Sequence, residues 1–177
     1  MIRVGSQLTF CSPERILRRS VVELDEQNVI TGIFSLDDGN VETAQTLFYD
    51  GIVSPGIVSL KQAMPIERIS GQLKDYEYYD LCVIPSEIVL LKTDKPLILD
   101  FGTNSTDRIN TLLPYLTEAL KAFSIFEIIA ACTYFPSLLT DQSAGLIVNG
   151  SSGILLWENV DLIEKKLLAN TQVREMN

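Results

Sequence analysis

The residues that decide the fold run from Phe48 to Val58 and read FYDGIVSPGIV. The residues Thr46–Tyr49 overlap the start of this stretch, and their β-favouring side chains predict a short strand. The residues from Gly51 to Gly56 then predict a bent connection, because the Pro-Gly pair favours a turn. The connection leads into the apolar run Ile57–Leu60. The stretch therefore marks the point at which the character of the chain changes.

The part of the chain before this stretch has the pattern of β-hairpins. Three runs rich in β-branched residues predict strands at Ile2–Phe10, Ile16–Leu24 and Val29–Leu36. Residues 25–28 and 37–40 separate or end these runs with Asp, Asn and Gly, which are typical of hairpin turns. The acidic run at 37–40 lacks the spacing and terminal Glu of a calcium loop, so we interpret it as a turn.

The middle of the chain predicts buried strands followed by helices. Short apolar runs that fit buried parallel strands lie at Leu81–Ile84, Ile88–Leu91 and Leu97–Phe101. Helical spacing of apolar residues then covers Asn110–Phe123. Ser124 with Glu127 three residues later forms a capping-box pattern, which predicts the start of a second helix.

The end of the chain returns to β-structure, with strands predicted at Gly145–Val148 and Ile154–Trp157. Strands at the two ends of a chain must pair with each other to bury their apolar faces. We therefore predict an α+β fold with a composite β-sandwich from residues 1–56 and 143–177. Residues 57–142 would form a small α/β segment between them.

The composition bounds the classes of function. The net charge is −9 and the isoelectric point is near 4.5, which disfavours nucleic acid and anionic membrane surfaces as partners. Arg15, Arg18 and Arg19 form either a small basic patch or a solvated strand or turn, and we favour the second. No spanning segment or signal peptide is evident, so we expect a cytoplasmic protein. The hydrophobic share of 46% is high for a small monomer, which indicates burial against another subunit and most simply a homodimer.

Several motifs, taken in order, resemble the amidohydrolase superfamily, and its chlorohydrolase and aminofutalosine or guanine deaminase branch in particular. The resemblance implies that both chain ends build the family's N-terminal sandwich and that Ile57–Leu60 is the first barrel strand. It also implies that residues 97–105 are the last barrel strand, followed by the family's C-terminal helices. The motifs that carry the resemblance are Ile30–Ile33, Phe48–Val58, Leu97–Ser105, Ala131–Thr133, Gly145–Trp157 and Asn159–Leu162.

The departures from this family concern its metal site and its barrel. The two metal-binding His positions of the family fall on Lys61 and Ala63, and its metal-site Asp falls on Asn104. Phe135 stands where the family has an asparagine. Only 20 residues separate Leu60 from Leu81, whereas a complete eight-stranded barrel takes about 250 residues in total. The resemblance therefore implies a truncated barrel without its metal ligands.

The remaining candidates for chemistry are few. The chain has no histidine, so we expect no catalytic metal site, no cofactor and no catalytic residue of the family's kind. Asp100 is the best candidate acid or base, and its alternative is a carboxylate that caps a neighbouring backbone group or faces solvent on a partly open sheet. Lys61 is either part of a pocket or a surface residue. The less favoured candidates lack an adjacent base or cation, and they are Ser105, Thr106, Cys82 and Cys132.

Two functions stay open on the sequence. The first is a catalytically inactive protein that acts through association, as a homodimer or as the partner of an active paralogue. The second is a metal-independent small-ligand binder or hydrolase with a pocket near Asp100, Asn104 and Lys61. A tyrosine cluster at residues 76, 78 and 79 could anchor an interface or pack over the truncated barrel.

Overall fold

The computed structural model describes residues 1–38, 45–60, 79–83, 92–140 and 143–176. No helix in these ranges is long and apolar enough to cross a membrane. The strands of the described part are β1 (Ile2–Ser12), β2 (Arg15–Leu24), β3 (Ile30–Ser35), β4 (Thr46–Ser54), β5 (Asp80–Val83), β6 (Leu97–Asp100), β7 (Leu155–Glu158) and β8 (Gln172–Glu175). The helices are α1 (Thr106–Leu116), α2 (Ile125–Cys132) and α3 (Tyr134–Thr140), with short 3-10 turns at Leu36–Asp38 and Ser143–Gly145.

Both ends of the chain contribute to one six-stranded sheet, in the order β3-β2-β1-β4-β7-β8. The strands β1 and β4 pair in parallel, and all other neighbours in this sheet are antiparallel. Trp157 of β7 fastens the two ends together, because its indole Nε1 donates to Ser54 Oγ at 2.8 Å. The predicted α+β class and the joint β-structure of the two chain ends are therefore confirmed.

The six-stranded sheet curls until its β3 side meets the segment before β7. The amide of Ile30 donates to Ser151 O at 2.8 Å, and the amide of Gly150 donates to Ile30 O at the same distance. The curl encloses a hydrophobic cluster on the concave side of the sheet. Its buried members are Val4, Cys11, Val22, Leu24, Ile30, Val53, Ile147, Ile154, Leu156 and Met176.

A larger hydrophobic core lies between the other face of this sheet and the helices. The small parallel sheet of β5 and β6 adds to this core, and every residue of β6 is buried. The helix α2 packs directly against β6, which is the arrangement expected of a strand buried on both faces. The large buried side chains here include Phe10, Ile52, Trp157, Leu99, Phe101, Ile109, Leu113 and Ile128.

The edge strand β8 is covered by a side chain of α1. Asn110 accepts a hydrogen bond from the amide of Val173 and donates its own Nδ2 to Val173 O, both at 2.7 Å. The amide group thus imitates a neighbouring strand at this position, and it satisfies backbone groups that an open edge would leave free.

Four sequence predictions about secondary structure are wrong. The bent connection predicted from Gly51 to Gly56 starts only after Ser54, because β4 continues to Ser54 and pairs there with β7. Gly145–Val148 is not a strand, because Ser151 Oγ contacts the amide of Val148 and the carbonyl of Leu146 and so satisfies groups that a strand partner would bind. Ile57–Leu60 is buried but forms no strand pairing, and the amide of Val58 instead donates to Cys132 O at the end of α2.

The fourth error concerns the first helix, which was predicted over Asn110–Phe123 and runs from Thr106 to Leu116. The apolar spacing continues beyond this end, because Leu120 and Phe123 stay buried in a series of turns. By contrast, the capping box of Ser124 and Glu127 is confirmed at the start of α2. The predicted strand Ile88–Leu91 lies outside the described residues, and the domain boundaries stay a prediction.

Candidate functional site

Asp100 lies at the carboxyl end of β6 and is almost completely buried, with 1% of its surface exposed. Its Oδ1 accepts hydrogen bonds from Ser59 Oγ at 3.1 Å and from the amide of Gly102 at 2.8 Å. Gly102 has a φ of 65°, a left-handed conformation that glycine adopts without a steric penalty. The turn after β6 therefore folds back onto the carboxylate, and Asp100 is the capping group that the sequence offered as the alternative to a catalytic acid.

Asn104, which the sequence resemblance aligned with a metal-site aspartate, is held by the same segment of chain. Its Oδ1 accepts a hydrogen bond from the amide of Ser59 at 2.9 Å. Since Ser59 binds both Asn104 and Asp100, the loop after β6 and the segment after the Pro-Gly bend are fastened together. Sequence reasoning did not single out Ser59, because a serine in an apolar run carries no signal of its tertiary partners. We call these three residues the Ser59 network.

The Ser59 network does not fit a catalytic metal ion. Asp100 Oδ1 and Asn104 Oδ1 already accept hydrogen bonds from the protein itself. No group of three or more His, Cys, Asp or Glu that could hold a metal ion is present in the described part of the chain. Zinc sites depend on His or Cys ligands, and the complete sequence contains no histidine. We therefore derive no metal-dependent step for this site.

Several predicted site residues fall outside the described ranges. Lys61 and Ala63 belong to this group, and so do Tyr76 and Tyr78 of the tyrosine cluster. The predicted pocket around Asp100, Asn104 and Lys61 is therefore described only in its first two members. Ser105 and Thr106 lie at the start of α1, where Ser105 is the N-cap residue without a side-chain capping bond.

Phe135, which the sequence resemblance aligned with an asparagine, packs in an aromatic group. Its ring centroid lies 5.6 Å from that of Tyr79 and 5.5 Å from that of Tyr134. Tyr79 thus packs against α3, and the role of the whole tyrosine cluster stays a prediction. No polar chemistry remains at position 135.

The two cysteines whose side chains are described do not have the properties of nucleophiles. Cys132 is fully buried in α2, and burial raises the pKa of its thiol far above the ordinary value. Burial also raises the pKa of Cys11, against the opposing influence of the charge on Arg15. Because the thiolate is the reactive form, both groups are inert at neutral pH. Cys82 lies in β5, and its side chain is outside the described set.

A groove of about 460 Å³ opens beside the start of α2, and it contains an ion pair. Lys92 Nζ lies 2.7 Å from Glu127 Oε1 and 5.5 Å from the centroid of the Phe123 ring. Burial opposes the ionisation of Glu127, but hydrogen bonds from Lys92 and Ser124 outweigh it and lower the pKa of the carboxyl. Asp94 and Lys95 also line this groove, so two acidic and two basic side chains balance and the groove has no net charge.

A larger groove of about 910 Å³ lies between the β1–β2 hairpin and the turn at residues 161–166. It brings together residues that are far apart in the sequence, which is why sequence reasoning identified only its two arginines. The lining residues are Gln7, Leu8, Ile16, Arg18, Arg19, Asp37, Phe126, Leu162 and Lys165. Neither this groove nor the smaller one is lined by Asp100 or Asn104, so the predicted ligand pocket at those residues gains no support.

Comparison with known proteins gives a distant structural likeness only. No protein-family profile matches the chain, and no curated protein is similar to it in sequence. The crystal structure of N-acetyl-D-glucosamine-6-phosphate deacetylase from Mycobacterium smegmatis, an amidohydrolase superfamily member, is similar over 69% of this chain, with 10% identity and a TM-score of 0.27. A mutant of that enzyme in complex with N-acetyl-D-glucosamine-6-phosphate gives 68% coverage, 12% identity and a TM-score of 0.25.

This chain spans 30% of the length of either deacetylase structure. The likeness is partial and distant, and the resemblance to the amidohydrolase superfamily stays a prediction. The narrower assignment to the deaminase branch stays a prediction.

Proposed function

We propose that this protein is a catalytically inactive, amidohydrolase-like protein that acts by associating with another protein, most simply with a second copy of itself. The observation that carries the proposal is an aromatic surface on the outside of the six-stranded sheet. In one row across four strands, Phe34 pairs with Val21, Val21 with Gly5, and Gly5 with Phe48. Paired residues project from the same face of a sheet, and the rings of Phe34 and Phe48 are 38% and 55% exposed.

Two glycines shape this aromatic surface. A Cβ atom on Gly5 would lie 2.6 Å from the ring of Phe48, and a Cβ atom on Gly32 would lie equally close to the ring of Phe34. The rings therefore lie low against the backbone in space that other residues would fill, and Val21 between them is fully buried. The result is an exposed aromatic surface with the polar pair Arg3 and Glu23 in the adjacent row, and exposed apolar patches can mark association sites.

The proposed lack of catalytic activity rests on the Ser59 network. Asp100 and Asn104 use their oxygens to hold two segments of the chain together, and the histidines that a zinc site needs are missing from the sequence. The polar groups at the end of β6 therefore stabilise the fold.

The charge of the chain predicts how self-association depends on salt. Two copies with a net charge of −9 each repel one another, whereas the aromatic surface attracts through the burial of apolar area. Added salt screens the repulsion, because the Debye length falls from about 10 Å at 0.1 M to about 3 Å at 1 M. We expect the dimer to become more stable as the salt concentration rises.

Light scattering coupled to size-exclusion chromatography tests the proposal at low and high salt. We expect a dimer for the wild type and a monomer for the double substitution Phe34→Ser and Phe48→Ser. The matched control is Ile163→Ser, since Ile163 is 89% exposed on the 161–166 turn and lies outside the aromatic surface. A wild type that stays monomeric at high concentration would contradict self-association, and a dimer that survives the double substitution would place the interface elsewhere.

A further inference from the structure

The groove of about 910 Å³, called the cationic groove below, has walls from two parts of the chain. One wall is the β1–β2 hairpin, and the other is formed by the start of α2 and the 161–166 turn. These two elements of the second wall are joined directly, because the amide of Ile125 donates to Lys165 O at 2.7 Å. The groove is therefore a preformed feature of the fold, within the volume range of about 300–1,000 Å³ that is usual for ligand sites.

The strands of the first wall break their regular alternation at this groove. Successive residues of a strand normally point to opposite faces, yet Arg18 and Arg19 both line the groove, and so do Gln7 and Leu8. Arg19 has a φ of 44°, a left-handed conformation that is unfavourable for an arginine. The pairing of β1 with β4 shifts by one residue between Ser6 and Leu8.

Irregularities of this kind in two neighbouring strands redirect side chains to one place, and they are common beside functional sites. The opposite wall also contains a residue with a left-handed backbone conformation. Lys165 lines the groove with a φ of 55°, so two of the three cations of the groove depend on a strained backbone conformation.

The charge of the groove opposes that of the whole protein. Three cations and one carboxylate line it, which gives 3 − 1 = +2 in a chain of net charge −9. Arg19 pairs with Asp37 at 3.0 Å, but both side chains are largely exposed and such pairs contribute little. In the described part of the chain, no acidic side chain pairs with Arg18 or Lys165. The groove therefore favours an anion from outside.

The floor of the cationic groove is apolar. Leu8 and Ile16 come from the hairpin, while Phe126 and Leu162 come from the opposite wall. Phe126 is fixed in place by stacking on Phe10, with ring centroids 6.4 Å apart and planes 12° apart. A ligand that fits this lining has a negatively charged end for the cations and a hydrocarbon or aromatic part for the floor.

We infer that the cationic groove binds a small amphiphilic anion, such as an alkyl or aryl phosphate or carboxylate. This site is separate from the Ser59 network and from the aromatic surface, and it does not depend on the oligomeric state of the protein. It also gives Arg18 and Arg19 a role that their position in the sequence alone did not reveal.

Isothermal titration calorimetry with four probes tests this inference below their micelle-forming concentrations. Octyl phosphate carries both the charge and the tail, inorganic phosphate carries the charge alone, octanol carries the tail alone, and octyltrimethylammonium carries the opposite charge. We expect octyl phosphate to bind at least tenfold more tightly than each of the other three. Equal affinity for the alkyl cation, or no heat from octyl phosphate at millimolar concentration, would overturn the inference.

Substitutions locate the binding in the groove. Arg18→Glu together with Lys165→Glu should weaken octyl phosphate binding by at least tenfold, because both walls lose their cation. The control Arg108→Glu changes an exposed arginine on α1 and should alter the affinity less than twofold. Equal weakening by the control would mean that only the net charge matters, and this result would overturn the assignment to the groove.

Arg19→Gly separates binding from folding. Glycine adopts the left-handed conformation without strain, so this variant should unfold at the same temperature as the wild type or higher. It should nevertheless bind octyl phosphate several-fold more weakly. An Arg19→Gly variant that keeps the wild-type affinity would exclude Arg19 from the site.

Competition with a synthetic acidic peptide is a separate test. If the peptide competes for the groove and binds more tightly than octyl phosphate, the ligand is a protein segment and the inference of a small ligand is overturned.

Discussion

Replacing the buried carboxylate at the end of β6 gives the sharpest test of the Ser59 network. In Asp100→Ala, the amide of Gly102 and the hydroxyl of Ser59 both lose the oxygen that accepts their hydrogen bonds. A hydrogen bond to a charged group contributes about 1.5–3 kcal/mol. The variant loses two such bonds, but it no longer buries a charge, and this offsets part of the loss. We expect the free energy of unfolding to fall by about 3 kcal/mol. For a chain of this size, each kcal/mol lowers the melting temperature by about 2–4 °C.

The conservative variant Asp100→Asn distinguishes an acceptor from a charge. It keeps an oxygen in the place of Oδ1, so we expect its free energy of unfolding to stay within about 1 kcal/mol of the wild-type value, as for a volume-conserving change. The control Glu26→Ala removes an exposed carboxylate from the β2–β3 turn and should have no measurable effect.

The assay is urea unfolding followed by tryptophan fluorescence. Trp157 is the only tryptophan of the chain and is fully buried beside Ser54, so its emission reports on the six-stranded sheet. Two results would refute the structural role of Asp100. One is an Asp100→Ala variant as stable as the wild type, and the other is an Asp100→Asn variant as unstable as Asp100→Ala, since the charge itself would then matter.

Two further predictions concern the edge strand and the buried thiol. Asn110→Asp keeps the acceptor for the amide of Val173 but sets a carboxylate oxygen against Val173 O. This repulsion favours the protonated acid and raises its folded-state pKa above the unfolded value of about 3.9. The contribution of this group to stability is then fully present below the unfolded pKa and is lost as pH rises through the folded pKa. Urea unfolding at several pH values measures the free energy of unfolding of the variant and the wild type. A difference between them that does not depend on pH would contradict the pairing of Asn110 with Val173. A chromogenic disulfide reagent should modify Cys132 only as fast as the protein unfolds, because burial raises the pKa of this thiol. Peptide mapping identifies the modified cysteine. Rapid labelling of Cys132 without denaturant would show that the thiol is accessible in the folded protein.

The parts of the fold that follow from local sequence were predictable. The strands β1, β2 and β3 lie within two residues of their predicted bounds, because β-branched runs end at turn-forming residues. The capping box at Ser124 was predictable for the same reason, since all of its atoms lie within four residues. By contrast, β8 reads QVRE and offers no apolar pattern. Its strand pairing depends on β7 and on Asn110, which lies 63 residues away.

The candidate sites were predictable only where one residue type carried the argument. The absence of histidine is a property of the composition, and it argues against a zinc site without any knowledge of tertiary contacts. The role of Asp100 depended on Ser59, which lies 41 residues away in the sequence and reaches the carboxylate only after folding. The cationic groove could not be predicted from the sequence for a further reason. Its arginines share one face only because Arg19 is left-handed, and a pattern of strict alternation would have separated them.

The pairing of β4 with β7 also has a consequence for the order of events during synthesis. Trp157 and Ser54 are 103 residues apart, so a ribosome must release the whole middle of the chain before β4 gains its second neighbour. Until then, β4 has a vacant hydrogen-bonding side and the concave cluster lacks Leu156. Non-local pairings of this kind slow folding and expose strand edges to other chains. The nascent protein is therefore the form in which a chaperone has most to protect.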